Sequence, residues 1–186
     1  MSDLTTLLVF AHCDEASAFA DVPHLVTGVG KVNAAVALAA ELAERPVQRV
    51  VVLGTAGVVS DAPDRPSLDE IYQIGAAVQH DFSLPSPTLV PAGEAILPAA
   101  ATAVIATGDV FVQDDAQRTA IAGLGANLVD METYAYASVC ARFGVALQVF
   151  KIPSDFADSS TTGEEWDQIV FRKSEQLREF WAARLA

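Results

Sequence analysis

Two clusters of carboxylates each follow an apolar segment in the second half of the chain. The first is Asp130-Met131-Glu132, after residues 128–129, and the second is Ser154-Asp155, after residues 146–152. The segment between them, residues 133–143, has the composition of a helix. This order predicts a β-α-β unit, and in an open α/β sheet ligands bind at the carboxyl ends of the strands. Two acids at that edge could bind a polyol and protonate a leaving group.

Strand-like and helix-like segments alternate along the rest of the chain. Short apolar runs predict buried strands, and longer segments with apolar residues at helical spacing predict helices. The alternation predicts one three-layer α/β domain over residues 1–186, with a mixed, mostly parallel central sheet flanked by helices. The predicted strands are residues 7–11, 24–27, 49–53, 71–78, 103–106, 128–129 and 146–152, and the predicted helices are residues 31–44, 114–124, 133–143 and 164–185.

The composition excludes several classes of partner. A chain of 186 residues, 52% of them apolar, is long enough to bury a sizeable core. The net charge of −13 argues against binding to nucleic-acid backbone or to an anionic membrane. The longest apolar stretch, residues 95–106, is too short to span a bilayer, and no signal peptide is evident. Cys13 and Cys140 have no metal-type or redox-type neighbours, so we expect a cytoplasmic protein with reduced thiols.

Glycine and small hydroxyl residues follow several predicted strands. They occur at Gly28-Val29-Gly30, at Gly54-Thr55-Ala56-Gly57 and at Thr107-Gly108. Glycine allows a backbone to approach a ligand closely, but each segment alone is better explained as a tight turn between a strand and a helix. None of them matches a complete dinucleotide fingerprint or P-loop. Their shared position at strand ends is what indicates a pocket.

Five short motifs resemble those of the purine nucleoside phosphorylase/nucleosidase superfamily, and they occur in the family's order over most of the chain. The resemblance is closest to the methylthioadenosine/S-adenosylhomocysteine nucleosidases, and it implies a nucleoside phosphorylase-like fold. The motifs are Thr27-Gly28-Val29-Gly30-Lys31-Val32-Asn33, Gly54-Thr55-Ala56-Gly57, Thr107-Gly108-Asp109-Val110-Phe111, Asp130-Met131-Glu132 and Ser154-Asp155.

The resemblance implies roles for the acidic residues. Asp155 matches the acid that protonates N7 of the purine. Glu132 matches the carboxylate that binds the ribose 2′- and 3′-hydroxyls, with Met131 against the sugar. Glu15 matches the base that activates water, although Asp14 is a near competitor for this role.

The same resemblance implies further contacts with the substrate. Phe111 matches the residue that stacks on the base, and the backbone of Val112 would face the purine edge. Thr55 and Ser154 belong to the small-residue motifs around the substrate. Lys151 stands where the nucleosidases usually carry an arginine near the sugar and the water, and lysine cannot make the planar bidentate contact of arginine.

The implied reaction is hydrolysis of a purine ribonucleoside or of a 5′-modified adenosine, without a metal or organic cofactor. Val52 occupies a position at which the phosphorolytic branch carries a phosphate-binding arginine, so water is the expected nucleophile. In the resembled family the loop equivalent to residues 82–91 closes the site of a neighbouring subunit, which implies a homodimer. A phosphorolytic enzyme and a non-catalytic nucleoside-binding or storage protein of the same fold remain as alternatives, and the 5′ group is left open.

Each acidic residue also has a structural interpretation. Asp155 could cap a turn, and Glu132 or Glu15 could interact with the dipole of a helix that begins beside it. These interpretations require no ligand, whereas the catalytic interpretation requires that the three side chains meet.

Overall fold

The computed structural model describes residues 5–63, 65–160 and 163–186. Helices α1 and α3 have the predicted bounds, and the other elements differ from the prediction only at their ends. The strands are β1 (Thr6–Phe10), β2 (Leu25–Val26), β3 (Arg49–Val58), β4 (Tyr72–Gln79), β5 (Thr102–Thr107), β6 (Leu128–Asp130) and β7 (Ala146–Asp155), and the helices are α1 (Lys31–Glu44), α2 (Asp115–Ala122), α3 (Thr133–Phe143) and α4 (Gly163–Arg184).

The seven strands form one mixed sheet in the order β2-β1-β3-β6-β5-β4-β7. Pairing is parallel except between β3 and β6 and between β4 and β7. Strand β3 also pairs with β7, so the sheet partly closes on itself. The predicted mixed, mostly parallel sheet flanked by helices is confirmed, and its partial closure is an addition to the prediction. Closure follows from the length of β3, whose last two residues, Gly57 and Val58, also pair with β6.

Strand β3 is longer than predicted. The sequence predicted a strand that stops at residue 53 before a glycine turn, but the strand continues through Gly54 and Gly57 to Val58. Gly54, Thr55 and Ala56 keep a parallel register with β7. Glycine at these positions therefore serves close approach of neighbouring side chains, not a change of chain direction. The register shifts between Ala56 and Gly57, at the point where the strand bends.

The helices lie in layers on the two faces of the sheet. Helices α1 and α3 pack on one face, where the side chains of Leu38 and Tyr136 are fully buried against alternate residues of β1, β3 and β7. Helix α4 packs on the opposite face through Leu177, against Phe10 and Phe150. Helix α3 ends at Gly144, whose left-handed backbone (φ 70°) suits glycine. Among the described helices, none combines the length and the apolar character needed to cross a bilayer.

Candidate active site

One cavity of about 370 Å³ lies at the carboxyl ends of β1, β5 and β6 and along the last residues of β3 and β7. The loop after β1, the start of α3 and the first turns of α4 complete its wall. Eight of the nine substrate-site residues predicted from the sequence line this cavity; they are Glu15, Thr55, Phe111, Val112, Met131, Glu132, Ser154 and Asp155.

Glu15 is held by three hydrogen bonds in the wall of the cavity. Its Oε1 accepts from the backbone N–H of Thr55 at 2.6 Å and from the Thr55 hydroxyl at 2.8 Å. Its Oε2 accepts from the backbone N–H of His12 at 3.2 Å. A side chain on Gly54 would put Cβ 3.0 Å from Oε1, so glycine is what leaves room for this carboxylate. Donors on both oxygens fix the orientation of the carboxylate.

Asp14, the competitor of Glu15, points elsewhere. Its carboxylate accepts a weak hydrogen bond from the Cys13 thiol at 3.5 Å and lies 3.5 Å from His12 Nδ1. It is partly exposed and is not part of the cavity wall. Of the two acids, Glu15 is therefore the one that faces the cavity.

Glu132 lies at the junction of β6 and α3 and is only 4% exposed. Its Oε1 accepts from the backbone N–H of Gly30 at 2.8 Å. Burial, with the neighbouring Asp130, raises the pKa of Glu132 to about 8, against the opposing effects of Lys151 and the Gly30 N–H. The first residue of the helix is instead capped by Asp130, which accepts from the backbone N–H and the hydroxyl of Thr133. Glu132 is therefore available for a ligand.

Asp130, in the cavity wall, forms an ion pair with Lys151, which is not part of the wall. Lys151 Nζ lies 3.0 Å from Asp130 Oδ2, and the lysine is 1% exposed. Burial alone would lower the pKa of Lys151, but Asp130, Glu15 and Glu132 outweigh it and raise that pKa. Lys151 therefore stays charged and compensates the acids around it. The Thr107 hydroxyl adds a hydrogen bond to Asp130 at 2.7 Å.

Lys151 is the predicted site residue that does not line the cavity. It was expected beside the sugar, but it is enclosed by the acidic cluster and is not part of the cavity wall. Its side chain and the Glu15 carboxylate share the space above Gly54, where a Cβ would lie 3.2 Å from Lys151 Nζ. Lys151 is therefore paired with Asp130 and lies near Glu15, and these two residues separate it from the cavity. Direct contact between this ammonium and a substrate remains a prediction.

Asp155 ends β7 and is oriented by two neighbours. Its Oδ2 accepts from the Ser154 hydroxyl at 2.6 Å, and its Oδ1 accepts from the backbone N–H of Ala157 at 2.8 Å. Ala157 has a positive φ of 49°, so Asp155 also supports an unusual turn. The structural and the catalytic interpretations of this residue therefore both have a physical basis here.

Apolar side chains form much of the remaining wall. Val112 is 4% exposed and packs in a cluster with Val129 and Ala157. Phe111 is 43% exposed, so its ring has an open face at the cavity. An apolar wall beside a few carboxylates suits a flat heterocycle that carries polar groups at one end.

Two aromatic side chains in the wall were not assigned to the site from the sequence. Trp166, at the start of α4, donates from Nε1 to the Thr55 hydroxyl at 3.1 Å. Its ring meets the His12 ring edge-on, with 5.3 Å between centroids. A single tryptophan at the start of an amphipathic helix was the only sequence signal, and it did not distinguish a pocket wall from ordinary packing.

One group of three potential metal ligands occurs among the described residues. His12 Nδ1, the Cys13 thiol and an Asp14 oxygen lie within 4.8 Å of one another. His12 Nδ1 already accepts from the backbone N–H of Asp14 at 3.2 Å, and the thiol donates to Asp14. These contacts account for the cluster without a metal.

Comparison with known proteins agrees with this geometry. The model of the phosphorylase superfamily matches residues 68–185. A 5′-methylthioadenosine/S-adenosylhomocysteine nucleosidase of Marinomonas sp. (strain MWYL1) is 30% identical over 179 residues, which is 83% of this chain and 77% of the relative. A futalosine hydrolase of Thermus thermophilus is 33% identical over 150 residues, which is 66% of this chain and 64% of the relative.

Solved structures share the fold at lower identity. A Helicobacter pylori 5′-methylthioadenosine/S-adenosylhomocysteine nucleosidase with butyl-thio-DADMe-Immucillin-A superposes with a TM-score of 0.81 at 18% identity, over 98% of both chains. A futalosine hydrolase mutant of the same organism has a TM-score of 0.81 at 18% identity, over 96% of both chains. The matched motifs, the partly closed mixed sheet and the extent of these alignments lead to one conclusion: the chain belongs to the phosphorylase superfamily.

Proposed function

We propose that this protein is an N-ribosyl hydrolase that cleaves the bond between the base and the ribose of an adenosine derivative. The observation that carries this proposal is the convergence of Glu15, Glu132 and Asp155, from three separate elements, on one cavity with an apolar wall. The names of the relatives, nucleosidase and futalosine hydrolase, support the same class of reaction.

Asp155 is the proposed general acid. Breaking an N-glycosidic bond leaves charge on the departing purine, and protonation at N7 neutralises it. Ser154 and Ala157 hold the carboxyl group of Asp155 in one orientation. Phe111 and Val112 are the proposed contacts of the base, because they form the apolar wall of the same cavity.

Glu15 is the proposed base for the attacking water. Its three hydrogen bonds from Thr55 and His12 keep the carboxylate oriented, so little reorganisation is needed when water is polarised. A carboxylate there also stabilises the positive charge that develops on the ribosyl group.

Glu132 is the proposed ligand of the ribose hydroxyls, with Met131 beside the sugar. Its carboxyl group is buried, lines the cavity and is fixed on one side by the Gly30 N–H. The two ribose hydroxyls can share hydrogen bonds with this buried carboxyl group, and a deoxy sugar would leave part of it unpaired, which favours a diol.

Water is the proposed nucleophile in preference to phosphate. The described residues of the cavity wall include Glu15, Asp130, Glu132 and Asp155 but no arginine or lysine. A phosphate dianion among these acids would lack a cationic partner, and its repulsion from them would oppose binding. This distribution of charge favours hydrolysis over phosphorolysis.

A nucleoside panel tests the function directly. The protein is incubated with adenosine, 5′-methylthioadenosine, S-adenosylhomocysteine and futalosine, with and without phosphate, and the released base and sugar are measured. Base release without phosphate, with free ribose sugar as co-product, is the expected result. A requirement for phosphate with ribose 1-phosphate as product would show a phosphorylase. Tight binding without release of base would show a nucleoside-binding protein.

We also propose that the protein is a homodimer. Helix α1 is apolar nearly all round, and its outward side chains Val32 and Val36 are 71 and 65% exposed. Leu84 and Val90, in the proline-rich segment, are 65 and 71% exposed. A helix with apolar residues on every side is usually buried by other protein segments on all sides. A second copy of the chain would cover these side chains.

Light scattering at micromolar concentration tests the dimer. Val36→Glu is expected to give a monomer, whereas the same change at Phe171, which is 49% exposed on α4, is the matched control and is expected to leave the dimer intact. A monomeric mass for the wild-type protein would contradict the proposal.

Two further expectations remain proposals. The thiols of Cys13 and Cys140 are both free, which is typical of a reducing compartment, and we propose a cytoplasmic location that cell fractionation can check. We propose a single domain, since the seven strands found in the described part of the chain all join one sheet. Calorimetry should then show one unfolding transition.

A further inference from the structure

Three charged residues from three different elements close a ring beside the cavity. Asp109 Oδ1 accepts from the backbone N–H of Lys31 at 2.7 Å, and the backbone N–H of Asp109 donates to Asp81 Oδ2 at 2.8 Å. The ring closes where the Lys31 ammonium donates to Asp81 Oδ1 at 2.6 Å. The three residues lie at the start of α1, after β4 and after β5. We call this set of Lys31, Asp81 and Asp109 the Lys31 ring.

The Lys31 ring adjoins the backbone N–H that binds Glu132, because that N–H belongs to the residue before Lys31. Gly30 precedes Lys31, and its N–H is the donor to Glu132 Oε1 at 2.8 Å. Gly30 has a positive φ of 96°, and a Cβ there would lie 3.1 Å from Asp109 Oδ1. The glycine therefore leaves room for the Asp109 carboxylate beside the turn that presents the Gly30 N–H.

The Lys31 ring also adjoins a second segment of the cavity wall. Asp109 is followed directly by Val110 and Phe111, which line the cavity. The bond from Asp109 to Asp81 thus anchors the start of this segment. One set of contacts therefore adjoins both the donor to Glu132 and a segment that supplies part of the apolar wall.

Within the ring, the Lys31 ammonium and the Asp81 carboxylate form an ion pair. The side chains of Lys31 and Asp81 are 19 and 21% exposed, so their ion pair is partly shielded from solvent. Burial opposes the charge on Asp81, but the Lys31 ammonium and the Asp109 N–H outweigh it and lower the pKa of Asp81. Lys31 Nζ has a second acceptor in Gln79 Oε1, at 3.2 Å. An ion pair with additional hydrogen bonds and partial burial holds its geometry better than an isolated surface pair.

We propose that the Lys31 ring is a positioning device for sugar recognition: it holds the Gly30 N–H on Glu132 and so sets how strongly the site distinguishes ribose from 2′-deoxyribose. This inference rests on the proposed function, in which Glu132 binds the ribose hydroxyls. Lys31, Asp81 and Asp109 are positioning residues here and need not touch the substrate.

The test compares kcat/KM for the nucleoside of the panel that the wild-type protein cleaves fastest and for its 2′-deoxy analogue, in wild-type protein and in Lys31→Met. Methionine removes the bonds to Asp81 and Gln79 but keeps the helix backbone and its capping by Asp109. The ratio of the two kcat/KM values is expected to fall about 3- to 10-fold, the range produced by loss of one well-aligned hydrogen bond. Arg45→Met is the matched control, because it removes an ion pair with Glu41 at the far end of the same helix. Its ratio should be unchanged.

A double-mutant cycle with Glu132→Gln decides whether the ring acts through Glu132. In the Glu132→Gln background, Lys31→Met should cause no further fall in the ratio, because residues in one network are not additive. An unchanged ratio in Lys31→Met, an equal loss for both substrates, or a second full loss in the double variant would each overturn the inference.

These outcomes differ from a failure of the proposed function. If the wild-type protein releases base from no nucleoside of the panel, the function and the inference fall together. If wild-type protein turns over and Glu132→Gln leaves the ratio unchanged, the role of Glu132 is wrong, and the positioning role of the ring is overturned with it. If Glu132→Gln lowers the ratio and Lys31→Met does not, only the inference fails.

Discussion

Thr55 donates both its backbone N–H and its hydroxyl to the same carboxylate oxygen of Glu15, at 2.6 and 2.8 Å. Both residues are buried, with exposures of 8 and 4%. Two short bonds to one oxygen fix the orientation of the carboxylate before any substrate is present. Trp166 in turn donates to the oxygen of the Thr55 hydroxyl, and the hydrogen of that hydroxyl is directed to Glu15.

Removal of the Thr55 hydroxyl should therefore slow the reaction. Thr55→Val keeps the shape and the backbone bond but loses the hydroxyl bond to Glu15. A hydrogen bond to a charged group contributes about 1.5–3 kcal/mol, so we expect kcat to fall about 10- to 100-fold. Thr55→Ser keeps the hydroxyl and serves as the control, with kcat close to wild type. Equal activity of the Val and Ser variants in steady-state kinetics would refute the proposed role.

Asp155→Asn tests the general acid. Asparagine retains an oxygen for the Ala157 N–H, so the turn should survive and the melting temperature should change little. It cannot give up a proton, so kcat should fall about 10²- to 10⁴-fold. Turnover of the nucleoside panel and thermal melting are measured side by side.

Asp155→Ala separates the two interpretations of the residue. Alanine also removes the bond to the Ala157 N–H, so this variant should lose stability as well as turnover. If the role is only structural, the Asn variant keeps activity and the Ala variant melts earlier. Near wild-type turnover in the Asn variant would remove Asp155 from the mechanism.

Lys151→Met should destabilise the protein strongly. Lys151 is 1% exposed and lies 3.0 Å from Asp130, so methionine leaves Asp130 and its neighbouring acids buried without a cation. Breaking a buried ion pair from one side costs about 3–5 kcal/mol. Chemical denaturation of Lys151→Met should show this loss. The double variant with Asp130→Asn should recover part of it, and failure of any recovery would argue against the pairing.

The stability of the Glu132→Gln variant relative to wild type should depend on pH. The pKa of Glu132 rises from 4.5 to about 8, mainly because the side chain is buried. Between these two values the folded protein holds a proton that the unfolded chain has released, so the contribution of Glu132 to stability falls as the pH rises. Glutamine does not titrate.

The variant should therefore gain stability over wild type between about pH 5 and pH 8, by at most about 1.4 kcal/mol per pH unit. Urea denaturation of both proteins at several pH values across this range measures the difference. A difference that does not change with pH would show that Glu132 has an ordinary pKa in the folded protein.

Much of the fold followed from local sequence patterns. The bounds of α1 and α3 agree with prediction because apolar residues at helical spacing end at clear stop signals, such as Gly144 after α3. The family followed from short motifs in order. The nucleosidase prediction agrees with the names of the relatives. Polar residues after strands also predicted which side chains meet, because strand ends share one edge of a sheet.

Other features depended on pairing between distant segments. Gly54-Thr55-Ala56-Gly57 was predicted as a turn, yet it lies within β3, because register with β7 outweighs the local preference of glycine. Nothing in the local sequence indicates that β3 also meets β6, which partly closes the sheet.

The sequence by itself determined the types of the site residues, their order and the strand ends at which they lie. The tertiary structure decided which of them share contacts. It placed Lys151 in the acidic cluster instead of in the cavity wall, and it turned Glu15 and not Asp14 inward. It also closed the Lys31 ring between the start of α1 and the segments after β4 and β5. The physical reason is that charge compensation and hydrogen bonding act over a few ångströms in space. Residues as far apart in the chain as Gly30 and Glu132 become neighbours only when the sheet forms.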